Sequence, residues 1–313
     1  MTKFAFVFPG QGSQAVGMMS NWGDYQPSID ETFQQASEAL GYDLGLIIKD
    51  GPADKLNQTE ITQPAVLASG VAAYRVWLKS GLGEADVCAG HSLGEYTALV
   101  CAGSLQFDDA VKLVAERGQL MQSAVQPGEG AMAAIIGLSD DDVIKACSSV
   151  DDGVVSAVNF NSPGQVVIAG NKASVEKAMA NAKELGAKRA LPLPVSVPSH
   201  CALMENAAEK LYQNLSDTDI QMPTTTVIHN QNAQPAESVD EIRNLLKLQL
   251  FQPVLWVDCV NAIKNRGIDT LIELGPGKVL TGLTRRIDKS MTGHAVFDLD
   301  SLEKTKQNLQ ETE

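Results

Sequence analysis

Short apolar runs alternate with helix-spaced apolar stripes through the first third of the chain. The run Phe4 to Phe8 stops at a Pro-Gly pair and predicts a buried strand, and Val87 to Ala89 predicts a second one. Between them, Thr62 to Lys79 has helical periodicity, and Asp108 to Val125 predicts a helix that begins with acidic residues. This alternation is typical of a mainly parallel sheet covered by helices.

The pattern changes after the turn-forming segment 126–130. The next elements are predicted as strand Ala131 to Gly137, helix Asp140 to Ser149, strands Val154 to Asn159 and Gln165 to Ala169, helix Ala173 to Leu185 and strand Lys188 to Leu193. The order βαββαβ is the split pattern of a ferredoxin-like domain. A proline-rich stretch then leads back to an α/β rhythm, with strands at Thr224 to His229 and Thr270 to Leu274 and a helix at Val239 to Leu250.

These elements predict an α/β protein with a discontinuous large domain. We place the large domain at 1–127 and 199–313 and the inserted small domain at 128–198. The cleft between the two domains is the expected substrate site, because ligand sites occur preferentially at domain interfaces.

Composition narrows the function classes. The 313 residues are 44% apolar and 20% charged, as in an ordinary globular protein, and the net charge of −14 argues against nucleic-acid binding. The five cysteines are odd in number, lack a C-x-x-C spacing and lie mostly in apolar runs, which predicts buried thiols in a reducing compartment. No apolar run is long enough for a signal peptide or a membrane span, so we expect a cytosolic protein without membrane contact.

The pentapeptide Gly90-His91-Ser92-Leu93-Gly94 lies between a predicted strand and a helix-compatible segment. A Gly-x-Ser-x-Gly sequence in this setting forms a tight turn that exposes the serine hydroxyl at the end of the sheet. The glycines are needed because strand and helix approach each other too closely for a Cβ atom. Ser92 is therefore the predicted nucleophile; the alternative is a solvated serine on a glycine-rich turn.

A serine attacks only when a base takes its proton, and histidine is the usual base near neutral pH. We favour His200 because it lies where the chain re-enters the large domain and follows the serine, as in elbow-type hydrolases. The alternative is a structural histidine with satisfied hydrogen bonds. Of the others, His91 is expected to support the turn, His229 to be structural or to line a pocket, and His294 to lie in a polar tail.

A hydrolase triad would also require an acid between the serine and the histidine. The acidic residues of that region are interpreted as helix-start residues, and they are Asp108, Asp109 and Asp140 to Asp142. A neutral acceptor for the histidine N–H, such as a backbone carbonyl, is the alternative, and spacing alone does not decide between the two.

Arg117 lies on the apolar stripe of its predicted helix, three residues after Val114 and four before Met121. A guanidinium in that position needs an anion. The anion is either an internal carboxylate or a substrate carboxylate held by the bidentate fork.

Two glycine-rich loops follow predicted strands. Gly10 to Gln14 follows the first strand and can present a backbone N–H beside the elbow, where with the N–H of Leu93 it would complete an oxyanion hole. Its spacing does not fit a dinucleotide motif, and Gly275 to Lys278 does not fit a P-loop, so the latter is interpreted as a tight turn.

Together these segments resemble the malonyl-CoA:acyl carrier protein transacylases of bacterial fatty-acid synthesis. The similarity covers nearly the whole chain and fades after about Arg286. It is carried by Phe6 to Gln14, Gly90 to Tyr96, Asn159 to Gln165, Pro198-Ser199-His200 and Glu273 to Gly277. The resemblance implies an α/β-hydrolase-like large domain with an inserted ferredoxin-like small domain.

The resemblance also implies a role for each candidate residue. Ser92 would be the acylated nucleophile, His200 its base, and the backbone carbonyl of Gln249 the group that orients the histidine in place of an acid. The malonyl carboxylate would be bound by Arg117. The oxyanion hole would be formed by the backbone amides of Gln11 and Leu93.

The implied substrates are malonyl-CoA and acyl carrier protein, with no metal or redox cofactor, and we expect a monomer. Leu93 and Ser199 resemble malonyl-using rather than methylmalonyl-using members. Because the carrier and this chain are both acidic, docking would need a local basic patch, for which the candidates are Lys188, Arg189, Lys278, Arg285 and Arg286. The alternatives are a serine hydrolase or thioesterase, a transferase for neutral acyl groups and a non-catalytic scaffold.

Overall fold

The computed structural model describes residues 3–195 and 197–311. The predicted domain ranges also include residues 1–2, 196 and 312–313, which lie outside the described residues. The strands are β1 (Phe4–Phe8), β2 (Val87–Gly90), β3 (Gly130–Ile136), β4 (Val155–Ser162), β5 (Gln165–Asn171), β6 (Arg189–Pro192), β7 (Thr226–Ile228), β8 (Thr270–Leu274) and β9 (Thr292–Val296).

Helices cover both sheets. They are α1 (Gln26–Leu40), α2 (Leu44–Asp50), α3 (Ala53–Leu56), α4 (Thr59–Lys79), α5 (Gly94–Cys101), α6 (Phe107–Ser123), α7 (Asp140–Ser148), α8 (Lys172–Glu184), α9 (Glu205–Asp217), α10 (Val239–Phe251), α11 (Trp256–Lys264), α12 (Val279–Ile287) and α13 (Leu299–Gln310). The predicted helices therefore begin and end within three residues of the observed ones.

The larger sheet, in the described part of the chain, has the order β7-β2-β1-β8-β9, and every neighbouring pair is parallel. All five residues of β1 are buried because the strand lies at the centre and is covered on both faces. Phe4, Phe6 and Phe8 pack into one apolar core with α4, whereas Ala5 and Val7 pack into a second core with α11. The carboxyl ends of β7, β2 and β1 therefore lie side by side, where sites occur in parallel sheets.

The smaller sheet is antiparallel, in the order β4-β5-β3-β6. Helices α7 and α8 cover one face and share a separate apolar core with it. This βαββαβ arrangement confirms the predicted fold class. The boundaries at 127/128 and 198/199 stay predictions.

The small sheet meets the large domain at the segment that follows α10. The Phe160 N–H donates to the Val254 carbonyl at 3.0 Å, and the Val254 N–H donates to Val158 at 2.8 Å. These bonds extend β4 onto a chain segment that leads directly from Gln249, so the small domain is fixed against the wall of the cleft.

One placement from the sequence is wrong. The sequence predicts that His294 lies in a polar tail, but it lies in β9, whose backbone pairs with β8 at the edge of the large sheet. The sequence gives no strand signal here because only Val296, at the end of β9, is buried. Among the described residues, no helix is both long enough and apolar enough to cross a lipid bilayer.

Candidate active site

The pentapeptide forms a tight turn between β2 and α5. Ser92 has φ +53°, a left-handed conformation that is costly for a non-glycine residue and typical of functional sites. A Cβ on Gly90 would lie 1.9 Å from the carbonyl of Gly94, and a Cβ on Gly94 would lie 2.1 Å from the Phe8 carbonyl oxygen. Both glycines are therefore required by the close approach of strand and helix, as the sequence predicted.

Asn230, just beyond β7, fixes both ends of this turn. Its Oδ1 accepts the Ser92 backbone N–H at 2.7 Å, and its Nδ2 donates to the Gly90 carbonyl at 2.7 Å. Because Asn230 is fully buried, these bonds are shielded from water. The strained turn is thus held by a side chain from the loop that follows the neighbouring strand.

The structure brings Ser92 and His200 together. Ser92 Oγ lies 2.8 Å from His200 Nε2, and His200 Nδ1 lies 2.6 Å from the backbone carbonyl of Gln249. A carbonyl can only accept, so Nδ1 carries the proton and Nε2 presents its lone pair to the serine. The imidazole is further fixed by its backbone, because the His200 N–H donates to Leu250 at 3.0 Å. His200 also has a left-handed backbone, with φ +65°.

The His200 imidazole is held neutral. Burial, together with the nearby charge of Arg117, lowers its pKa from 6.5 to about 3, against the opposing effect of the Gln249 carbonyl. No carboxylate of the described residues accepts from this imidazole, so the missing acid of a hydrolase triad is replaced by a neutral carbonyl.

This lowered pKa gives a pH prediction. The imidazole stays unprotonated down to about pH 3, so formation of the acyl-enzyme should keep its rate as pH falls from 7 to 5. Rapid-quench mass measurement of the first turnover at each pH tests this, and a loss of rate at acid pH with a midpoint near 6.5 would contradict it.

The same lowered pKa affects stability. The unfolded chain binds the proton near pH 6.5 whereas the folded chain does not, so the free energy of unfolding should decrease as pH falls from 6.5 towards 3.

Arg117 lies in the interior, with 1% of its surface exposed. Its Nη1 donates to Gln63 Oε1 at 2.8 Å, and its Nη2 donates to Gln249 Oε1 at 3.0 Å and lies 3.4 Å from Ser92 Oγ. Burial lowers the pKa of this guanidinium. Of the two partners that the sequence left open, the structure supplies no internal carboxylate within ion-pair distance among the described residues.

The two predicted oxyanion donors lie at the carboxyl ends of adjacent strands. Gln11 and Leu93 line the same cavity as Ser92, and neither backbone N–H donates to another described residue. The Gly10 and His91 backbones touch so closely that a Cβ on Gly10 would lie 2.5 Å from the His91 carbonyl oxygen. The N–H of Ser92 itself is occupied by Asn230, which leaves the other two amides for an oxyanion.

The other histidines have structural partners. His91 Nε2 lies 2.8 Å from Asn161 Oδ1, and its ring packs against Trp256. His229 is buried, and its Nδ1 lies 2.7 Å from Glu95 Oε1. These contacts agree with the supporting role predicted for His91 and with the structural alternative for His229.

Ser92, His200 and Arg117 line one cavity of about 200 Å³ between the two sheets. Its apolar wall is formed by Leu93, Met121, Met132, Val167, Leu193, Val195 and Val197. This volume is below the ~300–1,000 Å³ of pockets that enclose larger ligands, so it suits a short acyl group rather than a whole coenzyme.

Comparison with known proteins agrees with this geometry. The sequence model of the acyl transferase domain matches residues 5–309. The chain belongs to the acyl transferase family. The match continues beyond Arg286, where the motif resemblance fades, and includes β9 and most of α13.

Relatives of this acyl transferase are named for one reaction. The malonyl CoA-acyl carrier protein transacylase of Escherichia coli (strain K12) is 55% identical over 297 residues, which are 95% of this chain and 96% of that protein. The enzyme of the same name from Bacillus subtilis (strain 168) is 42% identical, with 99% of this chain and 98% of that protein covered.

Solved structures have the same fold. The acyl carrier protein S-malonyltransferase of Vibrio cholerae is 55% identical, superimposes with a TM-score of 0.95 and covers 97% of this chain and 100% of its own. A malonyl-transacylase in complex with a type II PKS acyl-carrier protein is 49% identical, with a TM-score of 0.96 and coverage of 98% and 100%.

Sequence reasoning missed three residues of this acyl transferase site. Glu95 is buried beneath the elbow, Asn230 holds the turn, and Gln63 contacts Arg117 from α4. The sequence held one signal: Glu95 is the single charge in the apolar segment that forms α5.

Proposed function

We propose that this acyl transferase moves the malonyl group from malonyl-CoA to the phosphopantetheine thiol of acyl carrier protein through a malonyl-serine intermediate. One observation carries the proposal. Ser92 Oγ lies 2.8 Å from the Nε2 of a neutral histidine and 3.4 Å from a guanidinium that has no carboxylate partner among the described residues, in a cavity of acyl-group size. A base and a carboxylate receptor therefore meet at the same nucleophile.

In the first half-reaction, His200 Nε2 takes the proton of the Ser92 hydroxyl while Oγ attacks the thioester carbon. The tetrahedral oxyanion accepts hydrogen bonds from the backbone N–H groups of Gln11 and Leu93. The C–S bond then breaks, and His200 returns the proton to the departing coenzyme A thiolate. Arg117 holds the malonyl carboxylate by its fork, which sets the position of the thioester carbon.

The second half-reaction reverses the chemistry with a new thiol. The carrier's phosphopantetheine thiol gives its proton to His200 and attacks the ester carbon of malonyl-Ser92. The same two amides stabilise the second oxyanion, and the ester C–O bond breaks as His200 protonates Oγ. No metal or redox cofactor is required, because a thioester is already activated towards attack.

Exposed basic residues at one edge of the molecule complement the negative charge of an acidic carrier protein. Arg286 on α12 donates to Gln165 Oε1 at 2.8 Å, and Gln165 and Arg189 flank the same residue of β3 in the small sheet. Both arginines are exposed, as are their sequence neighbours Lys188 and Arg285; Lys278 is also exposed but lies at the other end of α12. On a chain of net charge −14, this local patch offers a docking surface for an acidic carrier, because exposed charges act within about 8 Å at physiological salt.

Location and assembly belong to the same proposal. All five cysteines are free and buried, as expected for a reducing compartment, which supports a cytoplasmic enzyme. We propose that it acts as a monomer, because Ser92, His200, Arg117 and both oxyanion amides come from one chain.

The test of the proposed function is intact mass in two steps. Exposure to malonyl-CoA should add one malonyl group, and acyl carrier protein with its phosphopantetheine arm should then remove that group and gain its mass. Carrier protein without the arm is the matched control and should leave the malonyl-enzyme unchanged. Rapid loss of the malonyl group to water, with no mass gain on the carrier, would instead support the hydrolase alternative.

A further inference from the structure

Arg117 is a buried cation held by neutral groups. Its two terminal nitrogens donate to the side-chain oxygens of Gln63 and Gln249, and its guanidinium lies 5.4 Å from the ring of Tyr96. Burial of an ion without a counter-ion is costly, and proteins ordinarily offset that cost with a carboxylate. Here two carboxamides occupy the positions that carboxylates would otherwise take.

Gln249 separates Arg117 from a carboxylate that is also buried. Both carboxylate oxygens of Glu95 have hydrogen-bond partners. Oε1 lies 2.7 Å from His229 Nδ1, and Oε2 accepts from the Asn230 N–H and from Gln249 Nε2, both at 2.9 Å. The Gln249 carboxamide thus donates to the acid with its nitrogen and accepts from Arg117 with its oxygen. The acid and the guanidinium are linked through an amide and do not form an ion pair.

Gln63 holds the other nitrogen of the fork from behind. It lies on α4, is fully buried and does not line the acyl cavity, whereas Arg117 does. Its Nε2 points at the Met121 sulfur at 3.3 Å, so its oxygen faces the guanidinium. Gln63 therefore lies outside the lining of the acyl cavity and acts through the position and charge of Arg117.

We propose that Gln63 and Gln249 are specificity-determining residues, because their neutral oxygens hold the fork of Arg117 while leaving its charge to be compensated by the acyl group. This inference rests on the proposed function. A carboxylate-bearing acyl group restores the missing counter-ion when it binds, and an acetyl group does not. A glutamate at position 63 would supply an internal counter-ion and remove that difference, because the nitrogen that it replaces faces only the Met121 sulfur.

The experiment replaces Gln63 with glutamate, which has nearly the same shape, and with leucine, which has similar size and no acceptor. The measurement is kcat/KM for acylation by malonyl-CoA and by acetyl-CoA. For Gln63→Glu we expect malonyl transfer to fall about 100-fold or more while acetyl transfer changes less than about tenfold. For Gln63→Leu, which leaves the charge of Arg117 uncompensated, we expect both rates to change by less than about tenfold, so most of the preference for malonyl is kept.

The ratio of the malonyl-CoA and acetyl-CoA values of kcat/KM distinguishes a specificity-determining role of Gln63 from a purely structural one. A variant that packs poorly loses both activities together, and acetylation of Ser92 reports that nucleophile and base still work. A wild-type ratio in Gln63→Glu would overturn the inference, as would an equally large loss of preference in Gln63→Leu. If the wild-type enzyme itself shows no preference for malonyl-CoA, the proposed function fails instead.

Discussion

Replacement of Ser92 by alanine is expected to abolish formation of the malonyl-enzyme and to leave the fold intact. The change removes the only atom that can carry the acyl group in this mechanism. The turn keeps its other contacts, because Asn230 binds the backbone N–H of residue 92 and Gln249 Nε2 donates to its carbonyl at 2.9 Å. The measurement is intact mass after exposure to malonyl-CoA, together with the melting temperature.

His200→Ala is the matched comparison for this prediction. It keeps the nucleophile and loses the base, so malonylation should slow by about 10²- to 10⁴-fold rather than disappear. His91→Ala and His229→Ala, where folded, should acylate faster than His200→Ala because neither ring contacts the Ser92 hydroxyl. A malonyl mass gain in Ser92→Ala would refute the assignment of the nucleophile.

Replacement of Arg117 by alanine should destroy the preference for malonyl-CoA. The guanidinium is desolvated, so its removal deprives the malonyl carboxylate of a counter-charge in a site that water does not screen. We expect malonyl transfer to lose about 2 to 5 kcal/mol, at least ~30-fold in kcat/KM, while acetyl transfer holds or rises. Both thioesters are measured on the wild type and the variant, with circular dichroism as the check on folding.

Arg117→Lys is the graded control. Lysine keeps the charge and loses the planar fork that donates to Gln63 and Gln249, so its selectivity should fall between the wild type and alanine. Equal losses of malonyl and acetyl transfer in Arg117→Ala would identify the arginine as a structural residue. Arg117 would then not be the group that binds the malonyl carboxylate.

Local rules were enough to locate the nucleophile and the layers around it. The elbow requires glycine on both sides of Ser92, and that requirement is visible in five letters of sequence. The alternation of β3 to β6 with two helices likewise follows from period and turn residues alone. The predicted bounds of β1 and β8 match the observed strands to the residue, because each short segment has polar or turn-forming residues on both sides.

Long-range contacts were beyond such rules. Asn230 is 138 positions from Ser92, and Gln63 is 54 from Arg117, and nothing in their local sequence indicates a partner. The neutral acceptor on His200 could not be derived from spacing either, because a backbone carbonyl has no sequence signature. Strand β9 was missed because an edge strand with one buried residue lacks a readable alternation.

The two free amides at residues 11 and 93 have a consequence for redesign. Because these donors belong to the main chain, every residue except proline supplies them, whatever its side chain. The Leu93 side chain is buried in the wall of the cavity, and Gln11 is exposed at its rim. Libraries that seek enzymes for bulkier acyl groups can therefore vary both positions while keeping the chemical step, which separates the evolution of substrate range from that of catalytic power.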